Sequence, residues 1–210
     1  MYHSSNLQFQ SREIGFSARP GETLFVQGDP CAKILRLRTG VARAVDYSLN
    51  GFRQVMAFFF PGDVLGFPLA AEQRYSVEAV SELSFTVHSP MGWATKPSCA
   101  GNQELQALDA IWREEKAFIA RGLMLGRAGS MTRIGAFLAY AIRHLPAEDD
   151  IYDFPLPQSD IASYLATSPE TVCRMFRQLR EMEVIAIPRK DRLQVLDRHK
   201  LGRIAEGLWQ

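Results

Sequence analysis

The sequence predicts an α+β protein in three parts: an N-terminal β-roll of jelly-roll type, a long dimerisation helix, and a C-terminal winged helix-turn-helix. Three observations predict it. Glycines at 21, 28, 40, 51, 62 and 66 separate short apolar stretches between residues 18 and 90, which is the rhythm of a small sandwich or barrel. Residues 103–126 then run without proline, and without glycine before Gly122. Residues 158–184, QSDIASYLATSPETVCRMFRQLREMEV, place a short turn between two helical patterns. The expected boundaries are 1–102 for the β-roll, 103–127 for the helix and 128–210 for the winged unit.

Composition narrows the class. The chain has 210 residues, 47% apolar and 22% charged, enough to build real cores and too apolar for a disordered chain. No apolar run approaches 18 residues, so no membrane-spanning helix is expected. The first residues show no basic segment followed by an apolar one; the expectation is a cytoplasmic protein without a signal peptide. Cys31, Cys99 and Cys173 are too few and too far apart for a disulfide framework or a zinc pattern.

The net charge of +1 hides an uneven distribution. Residues 1–103 carry 9 basic and 8 acidic side chains, residues 104–145 carry 6 and 4, and residues 155–210 carry 9 and 7. Between them Glu148, Asp149, Asp150 and Asp153 form an acidic connector. A protein that meets nucleic acid needs a basic face rather than a basic total, so this charge permits such a partner.

Within the β part, ETLFVQGD, AKILRLRTG, VARAVDYSLNG, FRQVMAFFFPGD and RYSVEAVSELSFTVHS read as strands and turns. In the long helix, apolar residues recur at spacings of three and four. Leu105, Leu108, Ile111, Trp112, Phe118, Ile119 and Leu125 are the candidate dimer seam, with Met124 on the same stripe. A helix of about 24 residues spans roughly 36 Å, longer than packing on one small domain requires, so a second copy of the chain is the expected partner. Glu115 lies within the stripe and needs a basic partner, Arg121 or a group of the second copy. A second helix, TRIGAFLAYAIRHLP, starts near Thr132 and stops at Pro146, and the acidic connector follows.

The helix-turn-helix is expected to begin at Ser159, an N-cap before Asp160, and to run to Leu165. After a turn at residues 166–168, Ser168 caps a second helix with Pro169 and Glu170 in its first turn. Ile161, Leu165, Val172, Met175, Phe176 and Leu179 form the shared buried face. Any αα-hairpin would share that much. What distinguishes this one is the opposite face, where Glu170, Cys173, Arg174 and Arg177 stand at helical spacing. An arginine fork can reach guanine O6 and N7, and a carboxylate can accept from cytosine N4. Glu170, Cys173 and Arg174 are the candidate base readers. Ser159, Ser168, Thr171, Arg177 and Arg180 are candidate contacts to the DNA backbone. Strands at 184–187 and 193–196 would form a wing whose tip offers Arg189 and Lys190 to phosphate, although an ordinary solvated hairpin reads the same way.

On these residues the chain resembles the CRP/FNR family of bacterial transcription regulators, most of all its FixK-type branch. The resemblance covers about residues 18–205. It rests on GETLFVQGD, RTG at 38–40, FFPGDVLGFP at 59–68, LGRAGSMTRIGAFLAYAIRHL, and above all DIASYLATSPETVCRMFRQL. It implies a cyclic-nucleotide-binding-like β-roll, double-stranded DNA as partner, a homodimer, contact with RNA polymerase near Ala71–Arg74, and activator behaviour. It further implies that Glu170, Cys173 and Arg174 read half-sites of a TTGA…TCAA palindrome in genes tied to low oxygen and nitrogen. Members that bind cyclic AMP carry Gly-Glu and Arg-Ser pairs in the β-roll; here those places read Gly66-Phe67 and Arg74-Tyr75. Members with an iron–sulfur cluster use four cysteines, and this chain has three. No cofactor is therefore expected, and no metal.

Three readings of signalling and chemistry stay open at this level. Cys173 is either a redox switch or a small residue packed against a thymine methyl. For the switch, Arg174 and the positive end of the helix lie beside its thiol, a setting in which cysteines react with oxidants. The β-roll could instead admit a small ligand or haem, but His3, His88, His144 and His199 are scattered. A cupin-like enzyme would need clustered histidine and carboxylate ligands on strands. Residues 18–90 hold only His88, so no catalytic residue and no enzyme activity is expected.

Overall fold

The computed structural model describes residues 15–48, 50–67, 71–89 and 103–208, with side chains omitted for 103–107. His3 and Cys99 lie outside the described residues.

Eight strands build the N-terminal part: β1 (Gly15–Ala18), β2 (Thr23–Phe25), β3 (Ile34–Thr39), β4 (Ala42–Tyr47), β5 (Arg53–Phe59), β6 (Val64–Leu65), β7 (Ser76–Ala79) and β8 (Leu83–His88). They form two antiparallel sheets, ordered β1-β8-β3-β6 and β2-β7-β4-β5. The inner faces of both sheets meet in a core that includes Leu35, Leu37, Ala44, Ala57, Phe59, Leu65 and Val77. The turns are set by glycines where the backbone requires them. Gly40, between β3 and β4, has φ +81°, and a Cβ there would come within 2.1 Å of the Glu82 carbonyl oxygen. Only glycine fits.

Helix α1 (Gln103–Leu125) leaves the roll and packs on β5 and β6. After it come α2 (Ser130–Ala141), β9 (Ala147–Glu148), β10 (Ile151–Asp153), α3 (Gln158–Tyr164), α4 (Pro169–Glu181), β11 (Ile185–Arg189), β12 (Arg192–Val195) and α5 (Arg198–Glu206). The residues read as an acidic connector are mostly sheet: β9 and β10 extend the wing into a four-stranded sheet, β11-β12-β10-β9. Helix α5, for which the sequence offered no reading, lies across α2. There Gly135 removes the side chain that would collide with Ile204, since a Cβ would stand 2.6 Å from Ile204 Cγ2.

Two features differ from expectation for physical reasons. First, α1 carries two apolar faces, not one stripe. Ala110, Ala117 and Met124 are buried against the chain's own body. Phe118, expected in the dimer seam, turns the same way: its ring meets Tyr75 at 5.1 Å and Phe59 at 6.3 Å. Ile111 packs beside Ile34, Val64 and Phe67. Leu108, Trp112 and Ile119 do point outward, joined by Leu123, the most exposed of them at 68%. Leu125 is half-buried, and the side chain of Leu105 lies outside the described residues. Glu115 pairs with Arg74 at 2.5 Å, not with Arg121, whose Nε donates to the Tyr164 carbonyl at 2.8 Å. Both faces of the helix are apolar, so periodicity alone could not divide them.

Second, the β-roll and the C-terminal part share a core. Val41, Val55, Phe58 and Phe60 of the roll belong to the same buried cluster as Ile134, Phe137, Tyr164, Leu165 and Phe176. Tyr164 sits at the junction, its ring 5.2 Å from Phe58 and 5.5 Å from Phe137.

Candidate nucleic-acid interface

The first helix of the pair, α3, starts one residue earlier than expected, and its N-cap is Pro157 rather than Ser159. Ser159 is exposed in the first turn, while Asp160 is buried at 4% exposure. A buried carboxylate demands partners, and the sequence reading supplied none. They come from the β-roll: Arg43 and Arg53 both pair with Asp160.

Ile161, Ala162 and Leu165 of this segment are buried, and the turn closes with Thr167 N donating to the Ala162 carbonyl at 2.9 Å. Ala166 takes φ +49° within it. Ser168 then caps α4 as anticipated: φ −91°, ψ 152°, with its Oγ accepting from Thr171 N at 3.2 Å. Pro169 occupies the start, where its missing N–H costs nothing.

Helix α4 is sharply two-sided. Val172, Met175, Phe176 and Leu179 are buried, and Glu170, Cys173, Arg174, Arg177, Gln178 and Arg180 are exposed. The three candidate base readers thus share one open face. Hydrogen bonds from its own backbone N–H and from the Ser168 hydroxyl hold the Glu170 carboxyl below the usual range. It is therefore ionised at neutral pH, the state that accepts from a base amine. Thr171 is half-buried beside the cap.

The N-terminus of α2 opens onto the same side. Arg127, Gly129, Ser130 and Thr132 share a groove of about 770 Å³ with Arg174 and Gln178. Gly129 has no side chain with which to cap α2, and open helical N–H groups favour an anion such as a phosphate. Sequence reasoning missed this juxtaposition, although Gly129-Ser130 just before a helix was its signal. At the wing, the Arg189–Arg192 register places Lys190 and Asp191 at the tip. Arg189 and Lys190 are exposed, and Arg192 is tied back to Asp153.

Two family models match the chain in the order of its parts: a cyclic nucleotide-binding domain over residues 16–87 and a Crp-like helix-turn-helix domain over residues 132–204. The chain belongs to the CRP/FNR family. It is a DNA-binding transcription regulator and not an enzyme. Among relatives of this CRP/FNR protein is the nitrogen fixation regulation protein FixK of Rhizobium meliloti, 28% identical over 171 residues, which cover 80% of this chain and 76% of the relative. The transcriptional activatory protein AadR of Rhodopseudomonas palustris is 29% identical over 192 residues, 89% of this chain and 79% of the relative. The structure of FixK2 from Bradyrhizobium japonicum superposes with a TM-score of 0.82 at 25% identity, covering 91% of this chain and 96% of that one.

In this CRP/FNR chain the β-roll meets α1 through a second cluster. Tyr75 Oη donates to Glu114 Oε1, and Arg74 Nη2 lies 3.5 Å from the same oxygen and 2.5 Å from Glu115 Oε1. Glu114 is 2% exposed, and its Oε2 has no hydrogen-bond partner among the described residues. Burial raises its pKa, against the opposing pull of the Tyr75 hydroxyl, Arg74 and the Phe67 backbone N–H. Phe67 is buried nearby with Ile34, Val64 and Ala110.

Proposed function

We propose that this regulator is a cytoplasmic homodimer that recognises a TTGA…TCAA-type palindrome and activates transcription through RNA polymerase. The observation that carries this reading is the open face of α4, where a capped, ionised glutamate, a small thiol and an arginine stand together above a fully buried opposite face. Glu170, Cys173 and Arg174 read bases. Ser159, Ser168, Thr171, Arg177, Arg180, Arg189 and Lys190 serve the DNA backbone. Outward-facing Leu108, Trp112, Ile119 and Leu123 supply the seam with the second copy, which sets two readers about 34 Å apart on one face of the duplex. The names of relatives associated with nitrogen fixation support a role in that kind of gene control.

The cyclic nucleotide suggested by the β-roll fold does not fit these residues. Arg74, the cation available to a phosphate, is already paired with Glu115, and Glu114 adds a second carboxylate beside it. An incoming anion would have to displace one carboxylate and lie against another. Phe67 offers no acceptor to a ribose. DNA binding is therefore independent of cyclic nucleotide in this reading.

Selection of bound duplexes from a random pool tests the whole proposal. A symmetric site with two equal half-sites is expected, with no change on adding cyclic AMP. Recovery of unrelated sequences would overturn it. Arg174→Ala should weaken binding to the selected site by about 1–3 kcal/mol and relax the base choice at one position. For the redox part, peroxide should weaken binding by the wild type and spare Cys173→Ser; equal loss in both proteins would remove Cys173 as a switch.

A further inference from the structure

The helix that precedes the reader, α3, is held to the β-roll by charge, and that contact lies outside both the proposed dimer seam and the DNA face. Arg43 on β4 stands directly opposite Glu78 on β7. Its Nε and Nη2 bond Glu78 Oε2 at 2.9 and 2.8 Å. Arg53 at the start of β5 adds Nη2 to the same oxygen at 2.9 Å, and Tyr47 Oη donates to Glu78 Oε1 at 2.6 Å. One carboxylate thus orients two guanidinium groups. Their remaining N–H groups turn toward α3, where Arg43 Nη1 pairs with Asp160 Oδ2 and Arg53 Nη1 reaches Asp160 Oδ1 at 3.3 Å.

Two positive and two negative side chains balance across the junction. The balance is divided unevenly, however. Glu78 belongs to the roll and neutralises one of the two arginines with or without α3. The second positive charge is left for Asp160, which arrives from 107 residues along the chain. Hydrogen bonds around it copy this arrangement. The backbone N–H of Val55, on edge strand β5, donates to Ser163 Oγ at 2.9 Å, and Gln54 Nε2 donates to the Ser163 carbonyl. Apolar packing of Tyr164 on Phe58 is compatible with small sliding and rotation; a fork of charged hydrogen bonds is directional and is not.

We propose that Asp160, received by Arg43 and Arg53, is a positioning contact that fixes the angle of the reader on the β-roll and thereby the spacing of half-sites the dimer accepts. Because α1, which carries the proposed seam, packs on β5 and β6 of the roll, and α3 packs on α4, an α3 locked to the roll ties α4 to the dimer axis. The inference rests on the dimeric, palindrome-reading function proposed above. It concerns how far apart the readers are held and not which bases they choose.

The experiment compares wild type, Asp160→Asn, Arg53→Gln and the double variant, all as full chains, on palindromes whose half-sites stand at the selected spacing or are moved apart by one or two base pairs. The preference of the wild type for its own spacing should fall about tenfold in each single variant, as expected if the competent orientation becomes a tenth as populated. Base choice within each half-site should stay unchanged. The double variant should lose no more than the larger single loss, because both changes break one contact. Equal loss of affinity at every spacing, or a spacing preference like that of wild type, would overturn the proposal. Amide exchange at Val55, read without DNA, separates this proposal from the reading of function on which it rests. Faster exchange in both variants is expected, and unchanged exchange would overturn the latch whatever the DNA results. Arg53, the more exposed of the two arginines, decides the matter if Asp160→Asn fails to fold.

Discussion

Two of the charged places where the β-roll touches the rest of the chain hold buried carboxylates that behave in opposite ways. Against α3, Glu78 is surrounded by Tyr47, Arg53 and Arg43. Burial alone would raise its pKa, but those three hydrogen bonds outweigh it and bring it down to about 2. Against α1, Glu114 meets the Tyr75 hydroxyl, the Phe67 backbone N–H and a single arginine, Arg74 at 3.5 Å, and burial wins: its pKa is raised. The two seats teach that burial is answered by the charge of the donors, not by their number: two guanidinium groups bond Glu78 at 2.8 and 2.9 Å, and one stands 3.5 Å from Glu114. The first seat gains from ionisation, and the second pays for it.

Removing the better-satisfied carboxylate should produce the largest effect. Glu78→Ala leaves Arg43 and Arg53 with only Asp160 between them. It should cost about 3 kcal/mol in denaturant unfolding at neutral pH, the lower end of the loss for breaking a buried pair because Arg53 is partly exposed. Acid should reveal the same contrast. The folded value for Glu78 lies below its ordinary 4.5, so its contribution is complete above pH 4.5 and fades as pH falls toward 2. Stability measured across that window should decline in the wild type, and the decline should be shallower in Glu78→Gln. A parallel decline in both would erase the distinction between the seats.

Glu114→Gln probes the opposite sign. Because its folded pKa is raised, the stability linked to the neutral form is present below 4.5 and lost as pH rises. The variant should therefore be more stable than wild type at neutral pH by about 1 kcal/mol, with the advantage disappearing in acid. The smallest effect is expected at Tyr164, between the two seats. Its hydroxyl is buried without a hydrogen-bond partner among the described residues, while its ring contacts with Phe58 and Phe137 would survive replacement. Tyr164→Phe should be neutral or stabilising by up to about 1 kcal/mol, read as a shift in the denaturation midpoint.

Much of the candidate interface was legible in the sequence because its determinants are local. Ser168, Pro169 and Glu170 lie within three consecutive positions, and cap geometry depends on little else. The alternation between Val172, Met175, Phe176, Leu179 and Glu170, Cys173, Arg174 follows from helical period alone. The same locality made Ser159 look like a cap. The chain instead begins α3 after Pro157, because Asp160 must reach into the roll and not sit at an exposed helix start.

What the sequence by itself determined, then, is the order of elements, the turns forced by glycine such as Gly40, and the two-sided reader. Each depends on backbone sterics and on neighbours a few residues away. Only the tertiary structure decided that Phe118 packs on Tyr75, that Glu115 answers Arg74, and that Asp160 closes a charge network with Arg43, Arg53 and Glu78. These outcomes pair groups from 25 to 117 residues apart. Charge attracts without regard to sequence distance, and an apolar face accepts whichever surface the fold brings to it; the partner in both cases is selected by geometry that exists only after folding.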